Sequence, residues 1–241
     1  MNEFQKKYQN EILELTEACH RCAELNYVTS SGGNLSLRAA ENVVLITPTK
    51  TLKRKMRFED ICAVDLEGKI IYAPENKKPT GEWKFHTRIM RKRPDIKAIV
   101  HAHPPILTGF AIANEGTMEK PFLPEPIIEV GPVLMVPYET PLSEALSERF
   151  DHVIEKSNGF LMENHGAVFC SPVGIEDAVE LLNMTECMAL SILTARILGN
   201  PKTMETVYVK DMDQVSIARG LKIPGEPGRY QSVSEIYHVA E

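Results

Sequence analysis

The patterning of the chain predicts an α/β domain built on a mixed or mostly antiparallel sheet, and three observations carry that reading. Short β-type runs are joined by a tight turn, as in Cys62-Ala63-Val64-Asp65-Leu66 and Lys69-Ile70-Ile71-Tyr72 on either side of Glu67-Gly68, which is hairpin spacing. Other apolar runs are separated by segments of helical period, as where residues 82–92 precede the run Ala98-Ile99-Val100. Residues 174–198 read as one long helix closed by Gly199-Asn200-Pro201, a helix-stop signal. Strands paired by turns, alternating elsewhere with helices, place helices against a mixed sheet.

The elements follow in order. Ile12, Leu15, Ala18, Cys19, Cys22 and Leu25 recur at helical spacing over residues 10–26. Ser30-Ser31-Gly32-Gly33-Asn34 breaks that helix, and Leu35-Ser36-Leu37-Arg38 alternates as a strand. Val43–Thr47 is a second strand, ended by Pro48, and the 62–72 hairpin comes next. Pro79-Thr80-Gly81 opens a helix from Glu82 to Lys92, which stops before Pro94 because the residue preceding a proline is pushed out of the helical region. A strand over 97–102 and a short helix over 106–113 lead into a proline-rich loop over 114–132. Val133–Val136 is a strand, Ser143–Lys156 a helix, and Gly159–Met162 and Ala167–Phe169 strands. Beyond 201 periodicity fades, so the tail reads as extended or partner-dependent, attached to one domain spanning 1–241.

Composition narrows the function. Of 241 residues, 43% are hydrophobic and 25% charged, which is ordinary globular composition. A net charge of −6 disfavours nucleic acid and anionic membranes as partners. No apolar run reads as long enough to span a bilayer, and the start Met1-Asn2-Glu3-Phe4-Gln5-Lys6-Lys7 lacks a signal-peptide core. Five cysteines without framework spacing fit a reduced, cytoplasmic protein. Cys19 and Cys22 fall on the apolar stripe of their helix. Phosphate loops of the G-x-G-x-x-G or Walker type are absent, as is a G-x-S-x-G elbow.

Chemistry concentrates in Val100-His101-Ala102-His103-Pro104. Residues two apart in a strand project to one side, so His101 and His103 can close on one ion. Alone, the pair also fits two packed, hydrogen-bonded histidines. His165 adds a third imidazole from Glu163-Asn164-His165-Gly166, a polar island between apolar runs. Three imidazoles with a position left open is the layout of a catalytic zinc site. Glu82, at the start of a helix that leads into the histidine strand, has two readings. One is a first-turn acid favoured by the helix dipole; the other is a base beside the ion, able to remove a proton from carbon next to a polarised carbonyl. His86, four residues on and on the same helix face, fits either a supporting hydrogen bond or plain packing.

The ordered blocks Pro79-Thr80-Gly81-Glu82-Trp83, His86, Arg93-Pro94-Asp95 and Ala98-Ile99-Val100-His101-Ala102-His103-Pro104 resemble the class II aldolase/adducin family. So do Ser31-Gly32-Gly33-Asn34-Leu35-Ser36, Ile46-Thr47-Pro48-Thr49 and Asn164-His165-Gly166, and the likeness runs over about residues 10–200. The resemblance implies an α/β/α sandwich around a mostly antiparallel sheet. It also implies a divalent metal, Zn2+ or else Co2+ or Mn2+, on His101, His103 and His165, with Glu82 as acid/base. By the same resemblance Gly33, Asn34, Thr49, Thr80 and Gly81 would hold a sugar phosphate. The implied activity is cleavage of a short, fuculose-1-phosphate-like ketose phosphate, with a 4-epimerase or a keto-acid-phosphate decarboxylase as alternatives. Glu rather than Asp at 82 favours the aldolase over the epimerase, and retention of all three histidines disfavours an adducin-type structural module. A homotetramer with active sites at subunit interfaces is implied too. Lys50 stands where the family's turn has glycine, and it is the cation that would replace lost phosphate donors; Lys53, Arg54, Lys55 and Arg57 read as a solvated face. Tyr230 and Tyr237 are candidates for the tyrosine that the family's tail supplies.

Overall fold

The computed structural model describes residues 1–221, 223–224 and 230–239. Helices α1 (Glu3–Lys7) and α2 (Gln9–Glu24) lead into β1 (Asn34–Ala40), β2 (Val43–Ile46), β3 (Cys62–Val64) and β4 (Ile70–Tyr72). Then come α3 (Trp83–Lys92), β5 (Ala98–Ala102), α4 (Pro105–Ala113), α5 (Pro124–Glu129) and β6 (Leu134–Val136). The chain continues through α6 (Glu144–Arg149), β7 (Gly159–Met162), β8 (Gly166–Ser171) and α7 (Ile175–Leu198). It closes with α8 (Thr206–Ala218), β9 (Ile223–Pro224), β10 (Tyr230–Gln231) and α9 (Val233–Ile236).

The main sheet has eight strands in the order β4-β3-β2-β1-β5-β8-β7-β6. All neighbours run antiparallel except the parallel pair β6 and β7, so the mixed, mostly antiparallel sheet is as expected. Alternation along the strands divides the core in two. Leu35, Leu37, Ala98 and Val100 pack with Ile12, Leu15, Leu182 and Ala189 of α2 and α7. Ile99, Val44 and Ile46 pack with Phe85, Ile89 and Leu146 of α3 and α6. Helices therefore cover both faces, giving three layers. On the α3 side the alternation places Asn34 and Ser36 of β1 beside His101 of β5, with Asn34 directly opposite His101 in the register.

Four expectations change. The 114–132 segment contains a 3-10 turn and α5, which starts with a proline in its first turn, where a missing N–H costs nothing. The helix begun at Ser143 ends at Arg149, because the chain tightens into a 3-10 turn that buries Phe150. The segment past 201 is not extended throughout: Val209 of α8 and Val233 and Ile236 of α9 bury against Ile127 and Ile128 of α5. That small cluster joins residues distant in sequence, so local periodicity does not reveal it. Finally, α7 is long and apolar enough to cross a membrane by length and composition. Its inner side is the layer packed on β5 and β8, and it buries Thr185 and Glu186.

Candidate active site

His101 is the penultimate residue of the fully buried strand β5, and its Nδ1–H donates to the Ala167 carbonyl at 2.9 Å. That bond selects the tautomer, leaving a lone pair on Nε2. The His103 N–H donates to the Tyr27 carbonyl at 2.7 Å, which fixes the chain as it leaves β5. His165 follows Asn164, whose φ of 53° is in the left-handed region that asparagine tolerates, and this turn brings His165 back over the end of β5. The ring centroids of His101 lie 4.8 Å from those of both His103 and His165, with 5.4 Å between the latter two. One donor nitrogen from each falls within 4.8 Å of the others.

Two glycines make the convergence possible. A Cβ on Gly166 would stand 2.5 Å from His103 Cδ2 and 2.6 Å from the Ala102 oxygen. Gly33 has φ of 70°, and a Cβ there would lie 2.9 Å from the His101 oxygen and 2.6 Å from Val28 Cγ1. Larger residues would force the loops away from the histidine strand.

Glu82 precedes α3 as its N-cap residue, yet its side chain makes no capping bond. It is 7% exposed and turns into the histidine cluster, with Oε2 at 3.5 Å from His101 Nε2 and Oε1 at 3.7 Å from His165 Nε2. This geometry goes against the first-turn acid reading. Asn34 Nδ2 donates to Glu82 Oε2 at 2.6 Å, and Asn34 Oδ1 meets His86 Nε2. His86 Nδ1 lies 2.7 Å from Ser36 Oγ. His86 is fully buried, and burial first, then His101, pulls it down to about 3, so it is a neutral imidazole with one N–H and one lone pair. Since Asn34 spends its N–H2 on the carboxylate, its oxygen must accept from His86 Nε2–H. His86 Nδ1 must then accept from the Ser36 hydroxyl. The three donors run in one direction, Ser36 to His86 to Asn34 to Glu82. Asn34, expected at the phosphate, thus has both ends of its side chain committed to the carboxylate's support.

A cation fits this centre. The Nε2 atoms of His101 and His103 are buried and have no hydrogen-bond partner among the described residues. Burial first, then the neighbouring imidazoles, hold both rings below the ordinary histidine range, so their lone pairs are available. Orphaned acceptors facing a buried carboxylate are costly unless something positive stands between them.

The remaining segments meet beside the centre. Thr80 N–H donates to the Thr47 carbonyl at 3.0 Å, Thr49 N–H to the Lys78 carbonyl at 2.9 Å, and Leu35 N–H to Thr47 Oγ1 at 3.2 Å. Gly33, Thr49, Lys50, Thr80 and Gly81 are therefore carried by three loops knitted together. Thr80 Oγ1 accepts from the Glu82 N–H at 3.3 Å, leaving its hydroxyl proton to donate. Lys50 adopts φ of 54°, which explains a preference for glycine there, and its side chain is exposed.

Two residues escaped sequence reasoning. Lys53, expected on a solvated face, is 1% exposed. Glu186, the acid inside the apolar α7, accepts from the N–H groups of Ile106 and Leu107 at 2.8 and 2.7 Å, holding the α4 N-terminus directly after His103-Pro104. A glutamate inside an apolar helix was the available signal. Of the tail candidates, Tyr237 packs with the α5, α8 and α9 cluster, and the Tyr230 side chain lies outside the described residues.

Comparisons agree with this geometry. The model for the class II aldolase and adducin N-terminal domain matches residues 13–192. A 3-oxo-tetronate 4-phosphate decarboxylase of Haemophilus influenzae is 32% identical over 148 residues, covering 60% of this chain and 69% of that protein. An L-fuculose phosphate aldolase of Methanococcus maripaludis is 35% identical over 158 residues, covering 66% and 83%. The crystal structure of YgbL of Klebsiella pneumoniae superposes with a TM-score of 0.74 at 29% identity, covering 81% of this chain and 93% of that one. With three-quarters of its length matched and the fold shared, this chain belongs to the class II aldolase and adducin family.

Proposed function

We propose that this protein is a metal-dependent lyase, an aldolase that cleaves a short, fuculose-1-phosphate-like ketose phosphate into dihydroxyacetone phosphate and an aldehyde. The observation that carries this is Glu82, a buried carboxylate that caps nothing and stands 3.5 and 3.7 Å from two histidine nitrogens. His101, His103 and His165 would hold the divalent ion, zinc or else cobalt or manganese, which when bound supplies Lewis acidity to an enediolate oxygen. Glu82 moves the proton at the neighbouring carbon. In cleavage the departing fragment's hydroxyl loses its proton to water or to the Glu82 carboxylate as its aldehyde forms, and the carbon–carbon bonding pair stays with the donor fragment. Glu82, once protonated, delivers a proton to that carbon; in condensation the carboxylate takes the carbon-bound proton and the new hydroxyl is protonated in turn. Asn34 holds Oε2 at 2.6 Å and leaves Oε1 free for the transfer. Gly33, Thr49, Thr80 and Gly81 line the side where the substrate's anionic end would sit.

A second reading is favoured by the decarboxylase of Haemophilus influenzae, which is similar at 32% identity. Loss of carbon dioxide from a 3-oxo acid phosphate makes the same kind of enediolate, and Glu82 would protonate it in the same way. We also read the protein as a cytoplasmic homotetramer with sites at subunit interfaces. Supporting that, Leu190, Leu193, Ile197 and Leu198 of α7 and Val207, Tyr208 and Ile217 of α8 are exposed; light scattering should give four times the 27.0 kDa chain mass.

The test is proton exchange of dihydroxyacetone phosphate in heavy water, followed by NMR, with zinc-loaded protein and a chelated control. Metal-dependent loss of one prochiral proton is expected, and Glu82→Gln should reduce it by about 10²–10⁴-fold while keeping its zinc. Full exchange in that variant would remove Glu82 from the role of base. Because decarboxylation of such an acid yields the same triose, exchange alone serves both readings; carbon dioxide release from a 3-oxo acid phosphate, with no aldehyde released from ketose phosphates, would favour the second.

A further inference from the structure

Lys53 is 1% exposed and among the largest fully buried side chains in the protein. Its Nζ donates to the carbonyls of Ser31 and Gly32 at 3.2 Å each and of Thr51 at 3.4 Å. Among the described residues no carboxylate lies within 4.0 Å of it; the groups whose charge acts on it are the buried thiols of Cys19 and Cys22 and, after them, the Glu82 carboxylate. Burial pulls the ammonium below its ordinary range, but three carbonyl oxygens match the three N–H groups of the charged form. A neutral amine would turn a lone pair onto one of those oxygens. The group is therefore an ammonium with no carboxylate in contact, balanced only at longer range by Glu82, an unusual object in a protein interior.

Its partners are the two loops that border the centre. A Cβ on Gly32 would lie 3.2 Å from His103 Nδ1, so the loop that Lys53 grips rests directly on a candidate metal ligand. A trans peptide points its N–H opposite to its carbonyl. Drawing the Gly32 carbonyl inward to Lys53 thus turns the Gly33 N–H away from the lysine, and that N–H has no acceptor among the described residues. One buried cation both fixes the loop backbone and leaves positive charge behind it.

We propose that Lys53 is the positioning cation of the substrate's anionic end, acting from beneath the Ser31–Gly33 and Thr49–Thr51 loops to make the site select a phosphoryl-bearing substrate. This deepens the lyase reading above and rests on it for the location of the substrate. Exposed Lys50, on this view, is not the cation that matters, and Lys53 completes a site whose other donors, the Gly33 N–H and the Thr80 hydroxyl, are uncharged.

The experiment titrates the full-length, zinc-loaded protein with inorganic phosphate by calorimetry. Lys53→Met and Lys53→Gln, the latter keeping amide donors for the carbonyls while removing the charge, should each weaken phosphate binding by about tenfold or more. Zinc content should stay unchanged, and Arg54→Ala, on the solvated face, should match wild type. In turnover, the variants should raise KM for the phosphorylated ketose far more than they lower kcat. Phosphate affinity within about twofold of wild type in both variants would overturn the proposal. Because a buried-lysine variant can fail to fold, the unmodified protein labelled with ¹⁵N-lysine supplies a second reading. The buried Nζ resonance should shift as phosphate binds, and binding without that shift would overturn the proposal equally. A wild type that turns over a ketose phosphate with no response at Lys53 loses this inference and keeps the lyase function; phosphate binding through Lys53 with no turnover does the reverse.

Discussion

Replacing Asn34 by Asp exchanges one N–H2 group for an oxygen, 2.6 Å from Glu82 Oε2. The donor that held the carboxylate becomes a second carboxylate. A hydrogen bond to a charged acceptor, worth about 1.5–3 kcal/mol, is lost. Two unit charges at that spacing repel by about 6 kcal/mol at an effective dielectric of 20. The pair escapes by keeping a proton between its oxygens, as neighbouring carboxylates do. His86 Nε2–H can still donate to the new side chain, so the rest of the chain of donors survives. The consequence is kinetic: with a proton trapped at neutral pH, the base is unavailable, and the acidic limb of the pH–rate profile for proton exchange should move up by about 2–4 pH units. Exchange measured from pH 5 to 9 on wild type and Asn34→Asp, with zinc content checked at each point, reads this directly. An acidic limb that stays in place while zinc is retained would show that Asn34 does not support the base.

Three further outcomes follow from the same geometry. Gly166→Ala places a Cβ 2.5 Å from His103 Cδ2; it should cost about 1–3 kcal/mol of stability and lower zinc occupancy, measured by elemental analysis after dialysis. His86 titrates at about 3 when folded against about 6.5 unfolded. Its folded value is depressed, so the unfolded state takes up the proton first, and stability present above pH 6.5 falls toward pH 3 by about 1.4 kcal/mol per unit. Urea unfolding of metal-free protein at pH 7.5 and pH 5 should differ by about 2 kcal/mol from this residue alone, and equal midpoints would contradict a buried neutral imidazole. His103→Ala should lose the metal yet keep the fold, because His103 lies beyond the end of β5; unchanged metal content would remove it from the ligand set.

Much of this was readable from the chain because the chemistry sits on regular elements. His-x-His on a strand has a fixed projection, and the apolar run before it marks the strand as buried on both faces. Glu82 was readable as a helix start, though which way its side chain turned was not, since a dipole-favoured acid and a catalytic one share the same local sequence. Asn34 shows a different limit. The Gly-Asn pair marks a loop, but whether the amide faces substrate or carboxylate depends on His86 and Ser36, brought together only when β1 pairs with β5 beneath α3. Lys53 was misread for a related reason. Composition sees a basic run, Lys50 to Arg57, and cannot tell that the 3-10 turn at Lys53–Lys55 rotates one lysine under the glycine loop while its neighbours stay in water. Local signals carry periodicity and turns; the polarity of a network and the burial of a single cation are tertiary facts.

Charge at the site ties these pieces together. Neutral imidazoles at His101 and His103, the Glu82 carboxylate and the Lys53 ammonium sum to no net charge, which lets the apo centre be buried at tolerable cost. A divalent ion on the three imidazoles would leave the centre doubly positive in a region largely closed to water. Such an excess is relieved by a dianion, and a phosphoryl group carries that charge near neutral pH. Metal and phosphate binding should then be linked, each tightening the other by the same factor. Calorimetry of phosphate with and without zinc, and of zinc with and without phosphate, tests that equality. Equal, independent affinities would mean that the anionic end of the substrate sits outside the field of the metal, held by Lys53 and the glycine loop without help from the ion.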